Sequence, residues 1–186
     1  MRTAVAICFV GVLLSLGPLA MAQVPTSGNV FFGYSYYRTN LFADNTLNTN
    51  GWEATLEGKI FPFIGIVADF SQHYGSENFP IAIPVGDFAP TTANVGIHEQ
   101  NYLFGPRVSV SVGKFRPFAE ALFGASHVNA GSVGSDTSFA TALGGGLDYR
   151  IVRPIAWRFQ GDYVQTRFFG NTQNNVRLST GIVLRF

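Results

Sequence analysis

The sequence predicts an all-β chain, an eight-stranded antiparallel up-and-down transmembrane β-barrel. Three observations lead there. Apolar and polar residues alternate with period 2 over stretches of about ten residues. Charged residues make only 12% of the chain while Phe, Tyr and Trp make 15%, and that charge content is about half the usual share of a soluble domain. The links between the alternating stretches are by turns long and short, the rhythm of an even-stranded membrane barrel.

The chain opens with a segment of a different kind. Residues 1–22, "MRTAVAICFVGVLLSLGPLAMA", carry one basic residue, Arg2, then an apolar run from Ala4 to Leu16, and close on Ala20-Met21-Ala22. This is the layout of a secretory signal cut before Gln23, and the run is too short to span a bilayer comfortably. The expected domains are therefore a cleaved signal at 1–22 and a barrel at 23–186. The single cysteine, Cys8, falls in the signal, so the exported chain is expected to lack disulfides, thiolate metal sites and a lipid-anchored cysteine. Cleavage would also remove Arg2, leaving acidic and basic side chains equal in number. That balance argues against nucleic acid as a partner.

Eight strands are expected, at 28–40, 50–60, 63–74, 98–112, 117–128, 136–149, 154–167 and 175–186. The second, "GWEATLEGKI", sets Trp52, Ala54, Leu56 and Ile60 against Glu53, Thr55, Glu57 and Lys59. In the fourth, Tyr102, Phe104, Val108, Val110 and Val112 oppose Asn101, Arg107, Ser109 and Ser111. In the seventh, Ile155, Trp157, Phe159 and Tyr163 oppose Arg158, Gln160 and Asp162. The eighth is the most regular, with Val176, Leu178, Thr180, Ile182, Leu184 and Phe186 on one parity and Arg177, Ser179, Gly181, Val183 and Arg185 on the other. The first, third, fifth and sixth alternate less cleanly. Helix signals are weak because glycine interrupts most segments and capping boxes are missing. Long links are expected at 41–49, 75–97, 129–135 and 168–174, and short ones at Phe61-Pro62, 113–116 and 150–153. Both chain ends then fall on the short-turn, periplasmic side.

Alternation alone does not say which face is inside, because a soluble lipocalin-like barrel lines its cavity with apolar residues and puts charges outside. Three features favour an outward apolar face. The polar face of the sixth strand is built of small residues, Ser138, Ala140, Ala142, Gly144 and Gly146, suited to a crowded interior. Trp52, Tyr102, Tyr149, Trp157 and Tyr163 fall near strand ends on the apolar face, as in the aromatic girdles at membrane interfaces. The low charge content is the third.

The chain resembles the small eight-stranded outer-membrane barrels, the group of the OmpA transmembrane domain, OmpX and opacity-type proteins, from "GNVFFGYSYYR" to "VRLSTGIVLRF". The resemblance rests most on the last strand, where Ile182, Leu184 and Phe186 alternate up to the final residue. It implies the outer membrane as location, contact with its lipid and lipopolysaccharide, and insertion by a barrel-assembly machinery that reads those three residues; Phe186 would also be a girdle residue.

Under this parity Glu53, Glu57, Lys59, Asp69, Arg107, Glu120, Asp148, Arg158, Asp162, Arg177 and Arg185 point inward, six acidic against five basic. An eight-stranded barrel is just wide enough for its own side chains to fill, and buried charges need partners. A lumen plugged by paired charges is therefore expected, with a structural or surface-interaction role and no catalysis. The loop 75–97 is the candidate contact site for an extracellular partner, since Phe79, Ile81, Ile83, Val85 and Phe88 would be exposed there; the alternative is that it extends the sheet or folds back over the mouth.

Other chemistries fit less well. "ASHVNAGSVG" around His127 is similar to a stretch of lipid A 3-O-deacylases, but Asn129 stands where their serine nucleophile would, and Ser126 falls on the opposite face from His127. A nucleophile must lie within hydrogen-bond reach of its base. His73 and His98 could face one another across strands three and four, yet two histidines without a third ligand make a weak metal site. "LGGGLDY" lacks the lysine and helix of a phosphate loop. No cofactor is implied.

Overall fold

A computed structural model of the chain describes residues 27–42, 45–81, 91–131 and 134–186. The expected signal at 1–22 and the loop residues Ile83, Val85 and Phe88 lie outside the described residues. Eight strands form one closed antiparallel barrel in sequential order. They are β1 (Gly28–Phe42), β2 (Asn45–Lys59), β3 (Ile64–Ile81), β4 (Thr91–Ser109), β5 (Phe115–Asn129), β6 (Ser135–Arg150), β7 (Ile155–Thr166) and β8 (Gln173–Arg185). A 3₁₀ turn, Phe168–Gly170, leads into β8.

Closure sets the register. Followed round the barrel, the ladder passes from Gly28 through Gly58, Ile66 and Pro106, crosses between the Phe104–Phe123 and Arg107–Glu120 pairs to Ala121, and goes on through Leu143, Tyr163 and Val176. It returns to β1 at Arg38, ten residues further along. Such a stagger tilts the strands by about 40° to the barrel axis. The seam between first and last strands is drawn tight by Phe186, whose N–H donates to the Gly28 carbonyl at 3.1 Å while its own carbonyl accepts from the Gly28 N–H at 2.9 Å. Any side chain at Gly28 would meet the Phe186 ring and the Glu57 carbonyl.

The outer wall is apolar. Phe32, Leu56, Phe104, Phe123, Phe139, Leu143, Phe159, Leu178, Ile182 and Leu184 all stand exposed on it, Phe139 and Leu143 at 67%. Large apolar residues exposed over a whole closed sheet have no place in water, whereas lipid demands both an apolar wall and a sheet without edges. The inner face is the opposite, holding nearly all the buried charges. The lipocalin-like arrangement would bury Trp52 and Trp157 in the cavity; instead Trp157 is on the outer wall, 37% exposed, and Trp52 packs outside between Phe32 and Phe70, with ring centroids 5.8 and 5.0 Å away.

Strand bounds depart from expectation mainly at one end. The expected link 41–49 is largely strand, since β1 runs to Phe42 and β2 starts at Asn45. The loop 75–97 is largely strand too: Gly75–Ile81 pairs with Thr91–Ile97, so the backbone at Phe79 and Ile81 is ribbon rather than irregular loop. At the other end, the turn expected at 113–116 is tighter, with Val112 bridged to Phe115. Phe115 and Arg116 therefore belong to β5, which turns Arg116 inward. Arg150 likewise belongs to β6.

Candidate functional site

The lumen is built in layers. Near the short-turn end, three guanidinium groups meet three carboxylates. Arg107 donates from Nε to Glu120 at 2.7 Å and from Nη1 to Glu57 at 3.3 Å. Arg116 reaches the other Glu57 oxygen at 2.6 Å and Ser109 at 2.8 Å. Arg158 grips Asp148 with two bonds, 2.7 and 3.2 Å, the fork geometry that makes such pairs strong. The Phe118 ring lies between Arg107 and Arg158, 4.3 and 4.6 Å from their guanidinium carbons, so it separates two like charges while attracting both. Half-buried Arg185 adds a 3.3 Å contact to Asp148. Lys59 departs from the expected pairing: its ammonium donates to the Pro62 carbonyl at 2.8 Å and Ser109 at 3.3 Å.

Further up, one guanidinium serves three carboxylates. Arg177 binds both Asp69 oxygens at 2.9 Å, Asp162 at 2.9 Å, and stands 3.5 Å from Glu53. Glu53 also accepts from Ser179 at 2.5 Å. The two layers are joined by Gln160, whose amide nitrogen lies within hydrogen-bond distance of Glu53, Glu120 and Asp162. Room for Asp162 comes from the facing strand, because a Cβ at Gly144 would stand 2.0 Å from the Asp162 Oδ1; this is the use of the small residues on β6.

Above Arg177, the interior turns to histidine, tyrosine, serine and amide side chains with the single carboxylate of Glu99. His73, which the sequence left facing His98, is buried inside, stacked on Tyr37 with ring centroids 4.7 Å apart and bonded to Ser35 at 2.8 Å. His98 faces outward against the Tyr74 ring. The register explains the separation: His73 pairs with Glu99 and His98 with Tyr74, so the two histidines occupy opposite faces. Glu99 is also buried. The top layer is an apolar lid of Leu47, Ile97, Val128, Ala130 and Phe168. Phe168 is pinned there by Gln173, which binds its N–H at 2.8 Å and its carbonyl at 3.2 Å.

All the inward residues expected from parity are thus on the inner face. Arg116, His73, Glu99, Asn29 and Gln160 join them as lumen residues that the charge list omitted. On the outer wall Tyr102, Tyr149, Trp157, Tyr163 and Phe186 are exposed, and Trp52 is half-buried among rings. The Tyr163 hydroxyl donates to Asn174 at 2.6 Å and the Tyr36 hydroxyl to Asn48 at 2.7 Å, and Tyr34 bonds Asn50. Tyrosine hydroxyls reaching a row of amides mark a polar boundary on the wall. Ile182 and Leu184 also point outward. Ser126 is buried and donates to Glu99 at 3.3 Å, whereas His127 bonds Thr137 outside at 2.7 Å. These two share no site.

The remaining feature is the β3–β4 ribbon. Pairing of β3 with β2 stops at Tyr74, and pairing of β4 with β5 stops at His98. Beyond those points seven further pairs, Gly75–Ile97 to Ile81–Thr91, continue alone. At about 3.3 Å per residue the ribbon extends roughly 23 Å along its own strands past those points, with no strand paired to either edge among the described residues.

No protein-family model and no curated protein matches the chain. Solved structures do. Neisserial surface protein A superposes with a TM-score of 0.65 at 11% identity, over 86% of this chain and 97% of that one. Ail, the attachment invasion locus protein of Yersinia pestis, superposes with a TM-score of 0.57 at 15% identity, over 86% of this chain and 98% of that one. Ail in complex with the heparin analogue sucrose octasulfate gives 0.57 at 16% identity, with the same coverage. What is shared at such identities is the fold. The chain is a small eight-stranded barrel of the outer-membrane type, with paired charges buried in its lumen.

Proposed function

We propose that this chain is a non-catalytic outer-membrane protein whose working surface is the β3–β4 ribbon. The observation that carries the reading is the ribbon's seven pairs beyond the last β2–β3 and β4–β5 pairs, with no strand paired to either edge among the described residues. An unpaired edge presents a row of N–H and C=O groups to any extended segment that reaches it, and Phe79, Ile81, Ile83, Val85 and Phe88 would supply apolar contacts at its end. The lumen, filled with paired charges under an apolar lid, is a plug in this reading rather than a conduit. Export by the signal at 1–22, insertion guided by Ile182, Leu184 and Phe186, termini in the periplasm and the ribbon outside complete the proposal. Lipopolysaccharide would surround the outward tyrosine–amide rim. Attachment, as the name of Ail describes for that protein, is the role such a ribbon suits.

The test is cell-surface display of the chain with residues 76–96 replaced by a two-residue turn. Attachment to matrix-coated surfaces should be lost while the folded barrel, read by its heat-dependent gel mobility, is retained. Undiminished attachment would refute the assignment. A second reading, binding of a sulfated polysaccharide, has Arg38 and Arg167 as exposed basic groups at the same end of the barrel as the ribbon; inhibition of attachment by sucrose octasulfate in the wild type and its loss on replacing both arginines by alanine would favour it.

A further inference from the structure

Two depressions in the outer wall lie one above the other across β3, β4 and β5, and they differ in chemistry. The lower, of about 520 Å³, is apolar, with Ala54 and Ala68 set low among Leu56, Phe70, Tyr102 and Phe104. The upper, of about 570 Å³, is lined by Gln72, Gly96, His98, Gln100, His127 and Asn129. The ladder puts them in line: Ala68 pairs with Phe104, Phe70 with Tyr102 and Gln72 with Gln100, and Gln100 pairs onward with His127. The wall therefore turns from apolar to polar within one outward step of about 7 Å.

The polar groups of the upper depression are only half engaged. The Tyr102 hydroxyl donates to the Gln100 Oε1 at 3.3 Å, the Gly131 N–H donates to the Asn129 Oδ1 at 3.0 Å, and the His127 Nδ1 bonds Thr137 at 2.7 Å. Both amide NH2 groups and the second His127 nitrogen are left without a partner among the described residues. Gly96 adds a second sign. A Cβ at Gly51, Gly105 or Gly124 would stand 1.8 to 2.2 Å from a backbone oxygen, whereas one at Gly96 would meet only the His98 Nε2, at 4.0 Å. A strand glycine that its neighbours do not require marks a place where a ligand comes close.

We propose that the two depressions form one seat for a glycolipid of the leaflet at the ribbon end, with an acyl chain in the lower and the sugar that carries it in the upper. In a bilayer an apolar groove gives little preference for one lipid over another, because all tails are as apolar as the wall. Preference has to come from the polar end. Amides and imidazoles offer both donors and acceptors, which matches sugar hydroxyls and the amide or ester group at the head of a chain. A bare phosphate would call for arginine or lysine and a cationic headgroup for a carboxylate, and the upper lining has none of these. The inference rests on the wall facing lipid and not on the attachment role.

The test is native mass spectrometry of the full barrel in a polyoxyethylene detergent, titrated with lipid A, lipid A stripped of its phosphates, phosphatidylethanolamine or glucosamine. One lipid A should be retained per barrel, about ten-fold more tightly than phosphatidylethanolamine, with or without its phosphates; glucosamine alone should not be retained. Replacing Gln100 and Asn129 together by alanine should remove about ten-fold in lipid A affinity, the worth of one or two neutral hydrogen bonds, and so erase the preference. Gly96→Leu, which fills the upper depression without meeting backbone, should do the same. Ala68→Leu should weaken both lipids alike. Gly161→Leu, in a separate wall groove beside Tyr36, Phe159 and Leu178, should change neither. Equal retention of lipid A and phosphatidylethanolamine, retention that needs the phosphates, or retention of glucosamine alone would overturn the seat. So would a preference that survives the double variant in barrels shown to be folded by their heat-dependent gel mobility, or one that Gly161→Leu removes.

Discussion

The lower and upper halves of the lumen solve the same problem differently. Below, Arg107, Arg116 and Arg158 face Glu57, Glu120 and Asp148 one for one, with Phe118 spacing two of the cations. Above, Arg177 alone gathers Asp69, Asp162 and Glu53, and Glu99 stands apart. A balanced cluster shares its load, since removing one member leaves its partner another: Glu57 touches both Arg107 and Arg116, and Asp148 both Arg158 and Arg185. An unbalanced one concentrates the load on a single residue. The difference teaches that equal numbers of opposite charges do not suffice in a narrow lumen; what counts is how many partners each charge retains.

The largest expected effect follows. Arg177→Met strands three buried carboxylates and should cost about 3–5 kcal/mol, read as a lowered denaturant midpoint of the folded band in lipid vesicles. Arg116→Met in the lower layer should cost less, about 1.5–3 kcal/mol, because Glu57 keeps Arg107 and Asn29. Equal losses for the two would erase the distinction between the layers. Gln160→Met removes the amide shared by Glu53, Glu120 and Asp162 and should cost about 1–2 kcal/mol. It should also make Arg177→Met and Arg116→Met additive where they were coupled by some tenths of a kcal/mol or more. Smallest of all, His127→Ala on the outer face should change stability by less than about 0.5 kcal/mol and leave attachment untouched, and it should abolish no lipid hydrolysis, in line with the non-catalytic proposal.

How much of this was legible in the sequence differs by level. Parity on β2, β4, β7 and β8 was clear because one face is mainly apolar and the other carries the charges, so the barrel could be read from alternation. Its inner face needed the small residues of β6, the aromatics near strand ends and the low charge content. Glu99 and His73 were readable by the same rule, sharing parity with Asn101 and Asp69, but strand ends with histidines and amides looked like rim. Arg116 was hidden for a local reason: "GKFR" has the composition of a turn, and only the Val112–Phe115 bridge shows how tight that turn is. The ribbon was masked by glycine and proline in 75–97, residues that usually break strands. Partners across the lumen, such as Arg177 with Asp69, 108 residues apart, depend on the stagger of the closed ladder, which no single strand encodes.

The outward apolar face underlies every assignment above, and the most direct measurement is bromolipid quenching of two single-tryptophan variants, Trp52→Phe and Trp157→Phe, refolded into vesicles. Both remaining tryptophans should be quenched strongly, with bromines placed near the interfaces acting more than those at the bilayer centre. Unquenched emission from a barrel that folds equally well without lipid would contradict the account and turn its charged face outward to water.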